Sequence, residues 1–326
     1  KKKITFNIFR LTMLAILLIV IVGIAAAIGG FKGVIDSAPD ITASNVMPSK
    51  LKSVMYYPDG QEAIELVGAQ SNRTIVSIDD IPKCLSNAFV AIEDNRFYEH
   101  NGIDPKGIVR ALFVGLSHGG NFSEGASTIT QQLLKNTVFT DWTSEGNNKI
   151  KKIKRKIQEQ YLALEITKYY SKDEILLRYM NAINLGQNTL GVESASLRYF
   201  GKHCSDLTIS ECAVIASITQ NPSKNNPIRH PEENAKRRKT CLNKMLELGF
   251  ISQAQYDEAM ADTDAVYERI GLYDIDYQEA NATTGSYFSD AVYEQVKQDL
   301  ILSGYNEAMA ETLLTSGGLR VESTLD

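Results

Sequence analysis

Residues 93–102 read Glu-Asp-Asn-Arg-Phe-Tyr-Glu-His-Asn-Gly, with ionisable side chains set among aromatic ones. Adjacent acids at a helix end point in different directions, so Glu93 and Asp94 do not form a close carboxylate pair by themselves; one can face a cleft while the other accepts local hydrogen bonds. Residues 125–136 read Gly-Ala-Ser-Thr-Ile-Thr-Gln-Gln-Leu-Leu-Lys-Asn. Ser127, Thr128, Thr130, Gln131 and Gln132 supply neutral hydrogen-bonding groups, which hold a hydroxyl-rich or phosphate ligand without committing charge. A third cluster runs from Lys149 to Lys156, six bases in eight residues, and closes with Arg155-Lys156-Ile157-Gln158-Glu159. On a helix Lys151, Arg155 and Glu159 fall at i, i+4 and i+8 and line one stripe. Together the three clusters suit moving protons beside an anionic ligand.

Each cluster also has a plainer account. Glu93-Asp94 can be a solvated helix end, Ser127 an N-cap before a polar helix face, and Arg155–Glu159 an i,i+4 pair worth a few tenths of a kcal/mol. Phe97 and His100 read as scaffold, and no second histidine stands at metal-ligand spacing from His100. The basic run lacks the aromatic interleaving of a nucleic-acid surface, so no nucleic-acid partner is expected.

The elements that must position these residues are mostly helical. Apolar spacing predicts a helix from Pro82 to about Glu93, then helices over 105–117, 127–138, 149–169, 172–182, 190–199, 208–219, 231–247 and 252–261. Ser171 with Glu174, and Thr208 with Glu211, are capping-box patterns. Ser53 to Leu66 reads as a hairpin about Pro58-Asp59-Gly60, and Ile75-Val76 as a short strand. Beyond residue 262 the spacing predicts one further helix over 286–300 and a turn at Gly317-Gly318 entering a strand. The expected organisation is a tail over 1–10, a membrane-spanning segment over 11–31, a linker with a β-hairpin over 32–81, a catalytic domain over 82–262 and a connector over 263–326.

Charge is uneven along the 326 residues. Residues 251–326 carry fifteen acids and three bases, a balance of −12, which leaves +7 for the rest of a chain whose net charge is −5. A basic body favours an anionic ligand or surface, while the acidic stretch is accounted for as a solvated connector. Leu11 to Phe31 holds no charged residue. At about 1.5 Å rise these positions extend roughly 31 Å, matching a hydrocarbon core of about 30 Å. Lys1, Lys2, Lys3 and Arg10 precede it, so the positive-inside rule puts the N-terminus in the cytoplasm and the remainder outside. A cleaved signal peptide ending near Ala25-Ala26-Ala27 is the alternative, although the apolar run is long for one. Of the four cysteines, Cys84 and Cys212 read as small core residues, and a Cys204–Cys212 or Cys204–Cys241 bridge stays open.

The combination resembles the peptidoglycan glycosyltransferase domain of class A (bifunctional) penicillin-binding proteins, which also occurs as monofunctional transglycosylases. The resemblance covers roughly residues 50–260. Residues 93–102 fit the family's Glu-Asp-x-x-Phe-x-x-His-x-Gly, residues 125–132 its Gly-(Gly/Ala)-Ser-Thr-Ile-Thr-Gln-Gln, and Arg155 to Glu159 its Arg-Lys-x-x-Glu. The stretches Arg178 to Lys202 and Ile215 to Pro227 fit two further motifs, with departures at Asn184 and Asn188. The implied fold is mainly α and lysozyme-like, two lobes with a cleft between. The implied reaction polymerises lipid II into glycan strands with inversion at C1 and release of undecaprenyl pyrophosphate.

By the same resemblance Glu93 is the general base and Glu159 the second essential acid. Asp94, Arg96, His100, Ser127, Thr128, Thr130, Gln131, Gln132, Lys135, Lys151, Arg155 and Lys156 are implied to bind substrate, with Lys135, Lys151 and Arg155 about the pyrophosphate. Many members carry Arg where this chain has Lys151, so a bidentate contact becomes a single-point one. No cofactor is required; a divalent cation, Mg2+ or Mn2+, is an option at Glu159. The implied partners are lipid II, a lipid-linked glycan strand, the membrane, moenomycin-type inhibitors and cell-wall or division proteins. The apolar run Ile108 to Leu116 reads either as core or as a patch dipping into the outer leaflet. The chain has no Lys-Thr-Gly, so the expectation is a fragment or a monofunctional form without transpeptidase activity. A lysozyme-like glycan hydrolase and a non-catalytic wall-binding scaffold are the alternatives.

Overall fold

The computed structural model describes residues 2–41, 46, 51, 53–66, 73–117, 125–146, 148–187, 189–271, 287–305 and 307–324. In chain order its elements are α1 (Lys2–Asp36), β1 (Ser53–Tyr56), β2 (Glu62–Leu66), α2 (Lys83–Glu93), α3 (Pro105–Ser117), α4 (Ile129–Thr137), α5 (Lys149–Ile166), α6 (Lys172–Ala182), α7 (Val192–Phe200), α8 (Ile209–Ser217), α9 (Pro231–Glu247), α10 (Gln253–Ala261), α11 (Ala265–Glu268), α12 (Tyr287–Leu302), α13 (Glu307–Ser316) and β3 (Arg320–Glu322). The fold is mainly α, as the periodicity predicts. Helices α3, α6 and α9 carry the predicted boundaries, and most of the others end within two or three residues of theirs.

Helix ends follow local chemistry. Ser171 and Thr208 each cap their helix through the predicted box, with Glu174 and Glu211 reaching back to the cap amide. α4 is capped the same way, but by Thr128 with Gln131 rather than by Ser127. The shift frees Ser127 for another partner. Gly249 stops the chain after α9 at φ +69°, a conformation glycine adopts without a Cβ penalty.

One hydrophobic core joins α2, α4, α5, α6, α7, α8 and α9. Leu85, Phe89, Leu133, Ile166, Ile175, Tyr179, Val214 and Leu242 in it are fully buried. α2 is the central element, packing on α8 and on α9. The hairpin of β1 and β2 is antiparallel, with Met55 facing Ile64. β3 joins it in parallel, Met55 opposite Val321, so the hairpin and residues 320–322 share one sheet of order β2-β1-β3. Periodicity offers no sign of a pairing across so long a separation. The strand predicted at Ile75-Val76 does not form. Its backbone is satisfied by side chains instead: Val76 exchanges hydrogen bonds with the Asn181 amide, and the Thr74 amide donates to Ser194. Asn188 lies outside the described residues.

α1 contains the one stretch among the described residues that is long and apolar enough to cross a membrane, Arg10–Asp36. From Arg10 to Gly33 its described side chains are exposed, and its C-terminal end packs on α5: Gln158 donates to the Val34 carbonyl at 3.0 Å and to the Ser37 hydroxyl at 3.2 Å.

Candidate active site

Glu93 is the last residue of α2, and its side chain is 8% exposed. It stands at the wall of a cleft of about 650 Å³. Among the described residues five bases line that cleft, Arg110, Lys135, Lys156, Arg237 and Lys244, against two acids, Glu93 and Glu247. Ser127, Gln131, Gln132 and Gln220 add neutral polar groups.

Three elements hold the Glu93 carboxylate. Gln132 of α4 donates to Oε2 at 2.8 Å and is itself fixed by the Tyr179 hydroxyl, which donates to its Oε1. Burial, and next the charge of Glu93, push the Tyr179 phenol well above its ordinary range, so it remains a donor. Thr219, just beyond α8, donates its hydroxyl to Oε1. Arg237 of α9 forms an ion pair with the same oxygen at 2.6 Å. A carboxylate offers about four acceptor sites. These donors occupy three of them and leave one on Oε2.

The rest of the first motif builds scaffold. Asp94 is buried, accepts from the Ile129 amide at the start of α4 at 3.0 Å, and pairs with His100 Nε2 at 2.9 Å. An anion is favoured at that helix start, so Asp94 ties the end of α2 to α4. Arg96 pairs with Asp104 across the same loop. The loop turns through Gly102 at φ +85°, where a Cβ would lie 2.0 Å from the Ala163 carbonyl oxygen, and Thr128 donates to the Gly102 carbonyl at 2.6 Å. Asp94, Arg96, His100, Thr128 and Thr130 do not line the cleft. Thr130 is fully buried and its hydroxyl has no partner.

Glu159 is wholly buried on α5. Arg155 donates to its Oε1, and the Lys156 ammonium sits 2.7 Å from Oε2 in ion-pair contact, outside hydrogen-bond geometry. Arg155 also donates to Glu145 at 2.9 Å. Lys156 donates to Ser127 at 3.1 Å, linking this buried network to the cleft. Lys135 stacks its ammonium 3.6 Å from the centre of the Trp142 ring. Burial, and next the neighbouring Lys156, lower its pKa. Lys151 is exposed and outside the cleft, because α5 projects beyond the body over its first six residues. With cations on both its oxygens, Glu159 does not suit a divalent ion, and among the described residues no group of three or more His, Cys, Asp or Glu could hold a metal.

Sequence reasoning missed Arg237, Thr219, Arg110 and Lys244. Arg237 lies within the basic run Lys236-Arg237-Arg238-Lys239 of α9. In the fold Arg238 is buried, donating to Ser210, and Arg237 turns to Glu93. The spacing of Asn234, Arg238, Cys241 and Met245 was the available sign that this face packs inward.

A transglycosylase family model matches residues 59–246. Penicillin-binding protein 1A of Clostridium botulinum is 37% identical over 335 residues, covering 100% of this chain and 39% of that protein. Penicillin-binding protein 1A/1B of Bacillus subtilis is 33% identical over 327 residues, covering 100% of this chain and 33% of that protein. The crystal structure of penicillin-binding protein 1A from Haemophilus influenzae aligns over 85% of this chain and 27% of its own, with a TM-score of 0.37 and 22% identity. The chain spans less than two fifths of the length of these relatives.

Proposed function

The chain belongs to the transglycosylase family, and from that premise we propose that it is a membrane-anchored peptidoglycan glycosyltransferase that extends glycan strands from lipid II. The observation that carries this reading is a carboxylate, Glu93, fixed by three donors at the wall of a cleft where five bases face two acids. A hydrolase that cuts glycan with two carboxylates has no use for such an excess of positive charge.

In the proposed reaction the acceptor's sugar 4-hydroxyl gives its proton to Glu93 as its oxygen attacks C1 of the lipid-linked strand. The C1–oxygen bond to undecaprenyl pyrophosphate breaks with inversion, and the diphosphate leaves with the electron pair. Lys135, Lys156 and Arg110 receive that charge. Arg155 and Glu159 act from beneath: the buried network holds Lys156 at the floor of the cleft. A base so placed contributes about 10²–10⁴ in rate. The energy comes from the activated pyrophosphate ester, so no nucleotide is needed.

Support for the anchor comes from α1, docked at its C-terminal end on α5. With the N-terminus cytoplasmic, the cleft lies outside the membrane. Val109 and Phe113, one turn apart on α3 and 65% and 74% exposed, fit a face that enters the leaflet and admits a lipid tail. The test is incubation of the purified chain with labelled lipid II and separation of the products on a gel. A ladder of lengthening glycan, suppressed by a moenomycin-type inhibitor, is expected. Shortening of preformed glycan with no ladder contradicts the proposal and favours the hydrolase.

A further inference from the structure

Two thiols meet away from the cleft. Cys84, in the first turn of α2, and Cys212, in α8, bring their sulfurs to 2.9 Å. Both sulfurs also lie against the Leu207 carbonyl, at 3.9 and 4.0 Å. The other two thiols are buried on backbone partners, Cys204 on the Asp80 carbonyl and Cys241 on the Ala88 carbonyl. Neither sequence-level pairing, Cys204–Cys212 or Cys204–Cys241, is therefore in contact. Seven residues beyond Cys212 and nine beyond Cys84, the same two segments touch again where Thr219 donates to Glu93. α2 and α8 thus run side by side in one direction, with the thiol pair at one end and the candidate base at the other.

We infer that Cys84 and Cys212 are a disulfide-forming pair that staples α2 to α8, closed by exchange with a small disulfide such as oxidised glutathione. Cys84 is only partly buried, so the oxidant reaches it; Cys212 is not exposed at all. The Cys212 S–H also favours the Cys84 thiolate, lowering its pKa, while burial pushes Cys212 up. The Cys84 thiolate attacks the small disulfide and releases one thiolate, leaving a mixed disulfide. Cys212 then attacks the Cys84 sulfur and passes its proton to the second small thiolate as that thiolate is expelled. The protein gives up two electrons and two protons, and the small disulfide takes both. An oxidising surrounding follows from the proposed placement outside the cytoplasm, but the chemistry in purified protein does not depend on it.

The experiment treats the folded chain with oxidised glutathione, blocks the remaining thiols by alkylation, and maps peptides without reduction. The expected result is one linked peptide pair, Cys84 with Cys212, lighter by two hydrogens, with Cys204 and Cys241 alkylated once the chain is unfolded. In Cys212→Ser, Cys84 should stop as the glutathione mixed disulfide, since its resolving partner is gone. Recovery of both Cys84 and Cys212 as alkylated thiols in the oxidised wild type overturns the inference. So does a link through Cys204 or Cys241. The wild-type map decides the matter even if a variant fails to fold.

Discussion

Replacing Arg237 with alanine tests how the candidate base is held. The guanidinium donates to Glu93 Oε1 at 2.6 Å, to Thr219 at 3.3 Å and to Gln220 at 2.9 Å. Removing one partner of a fully buried ion pair costs about 3–5 kcal/mol. Here the arginine side chain is 20% exposed and Glu93 keeps its bonds from Gln132 and Thr219, which lowers the figure to about 2 kcal/mol. If that energy goes into orienting Glu93 for proton transfer, kcat should fall about 30-fold. Arg237 would position the proposed base, so the loss should appear in kcat, with KM for lipid II changing by less than about threefold. Arg237→Lys keeps the charge without the fork that reaches both Glu93 and Gln220, and should recover part of the rate. The assay is initial-rate polymerisation of lipid II by wild type and both variants. An unchanged kcat, or a loss confined to KM, refutes the reasoning.

Three further outcomes are expected. Thr130 is buried with an unpartnered hydroxyl, so Thr130→Val should leave polymerisation intact and raise stability by about 1 kcal/mol in urea denaturation; lost activity would mean that the hydroxyl meets substrate. Gly102→Ala would place a Cβ against the Ala163 carbonyl at positive φ, and should cost about 3 kcal/mol, a drop on the order of 10 °C in melting temperature; a shift of about 1 °C would contradict the packing. Burial alone would raise the pKa of Asp104, but Arg96 and the Gly107 amide outweigh it and hold the carboxyl below its ordinary range. A depressed folded pKa means that the unfolded chain binds more protons, so the contribution is complete above about pH 3.9 and is lost as pH falls through the folded value. The urea midpoint should therefore fall less steeply below about pH 4 in Asp104→Asn than in wild type, and equal slopes would contradict the assignment.

The helices were legible because their apolar spacing and caps are local. Ser171-x-x-Glu174 and Thr208-x-x-Glu211 cap their helices as written. Glu93 was legible through its motif, and the cleft does gather Ser127, Gln131, Gln132, Lys135 and Lys156 about it. What could not be read was the division of labour inside a motif. Asp94 and His100 stand among chemically active neighbours, yet the Asp94 carboxylate is spent on His100 Nε2 and on the start of α4. The stripe Lys151-Arg155-Glu159 is real as helix geometry, but burial begins only at Arg155, so its first member points into solvent. Burial depends on what packs against the helix, and periodicity does not carry that. Partnerships across long separations, Glu93 with Arg237, Cys84 with Cys212, and β1 with β3, leave no local trace at all.

The measurement closest to the core of the account compares Glu93→Gln with wild type in two assays, glycan formation from lipid II and equilibrium binding of lipid II. The amide keeps the shape and cannot take the proton, so polymer yield should fall by at least about 100-fold while binding stays within a few-fold of wild type. Undiminished polymer from the glutamine variant would contradict the claim that this carboxylate draws the proton from the acceptor hydroxyl.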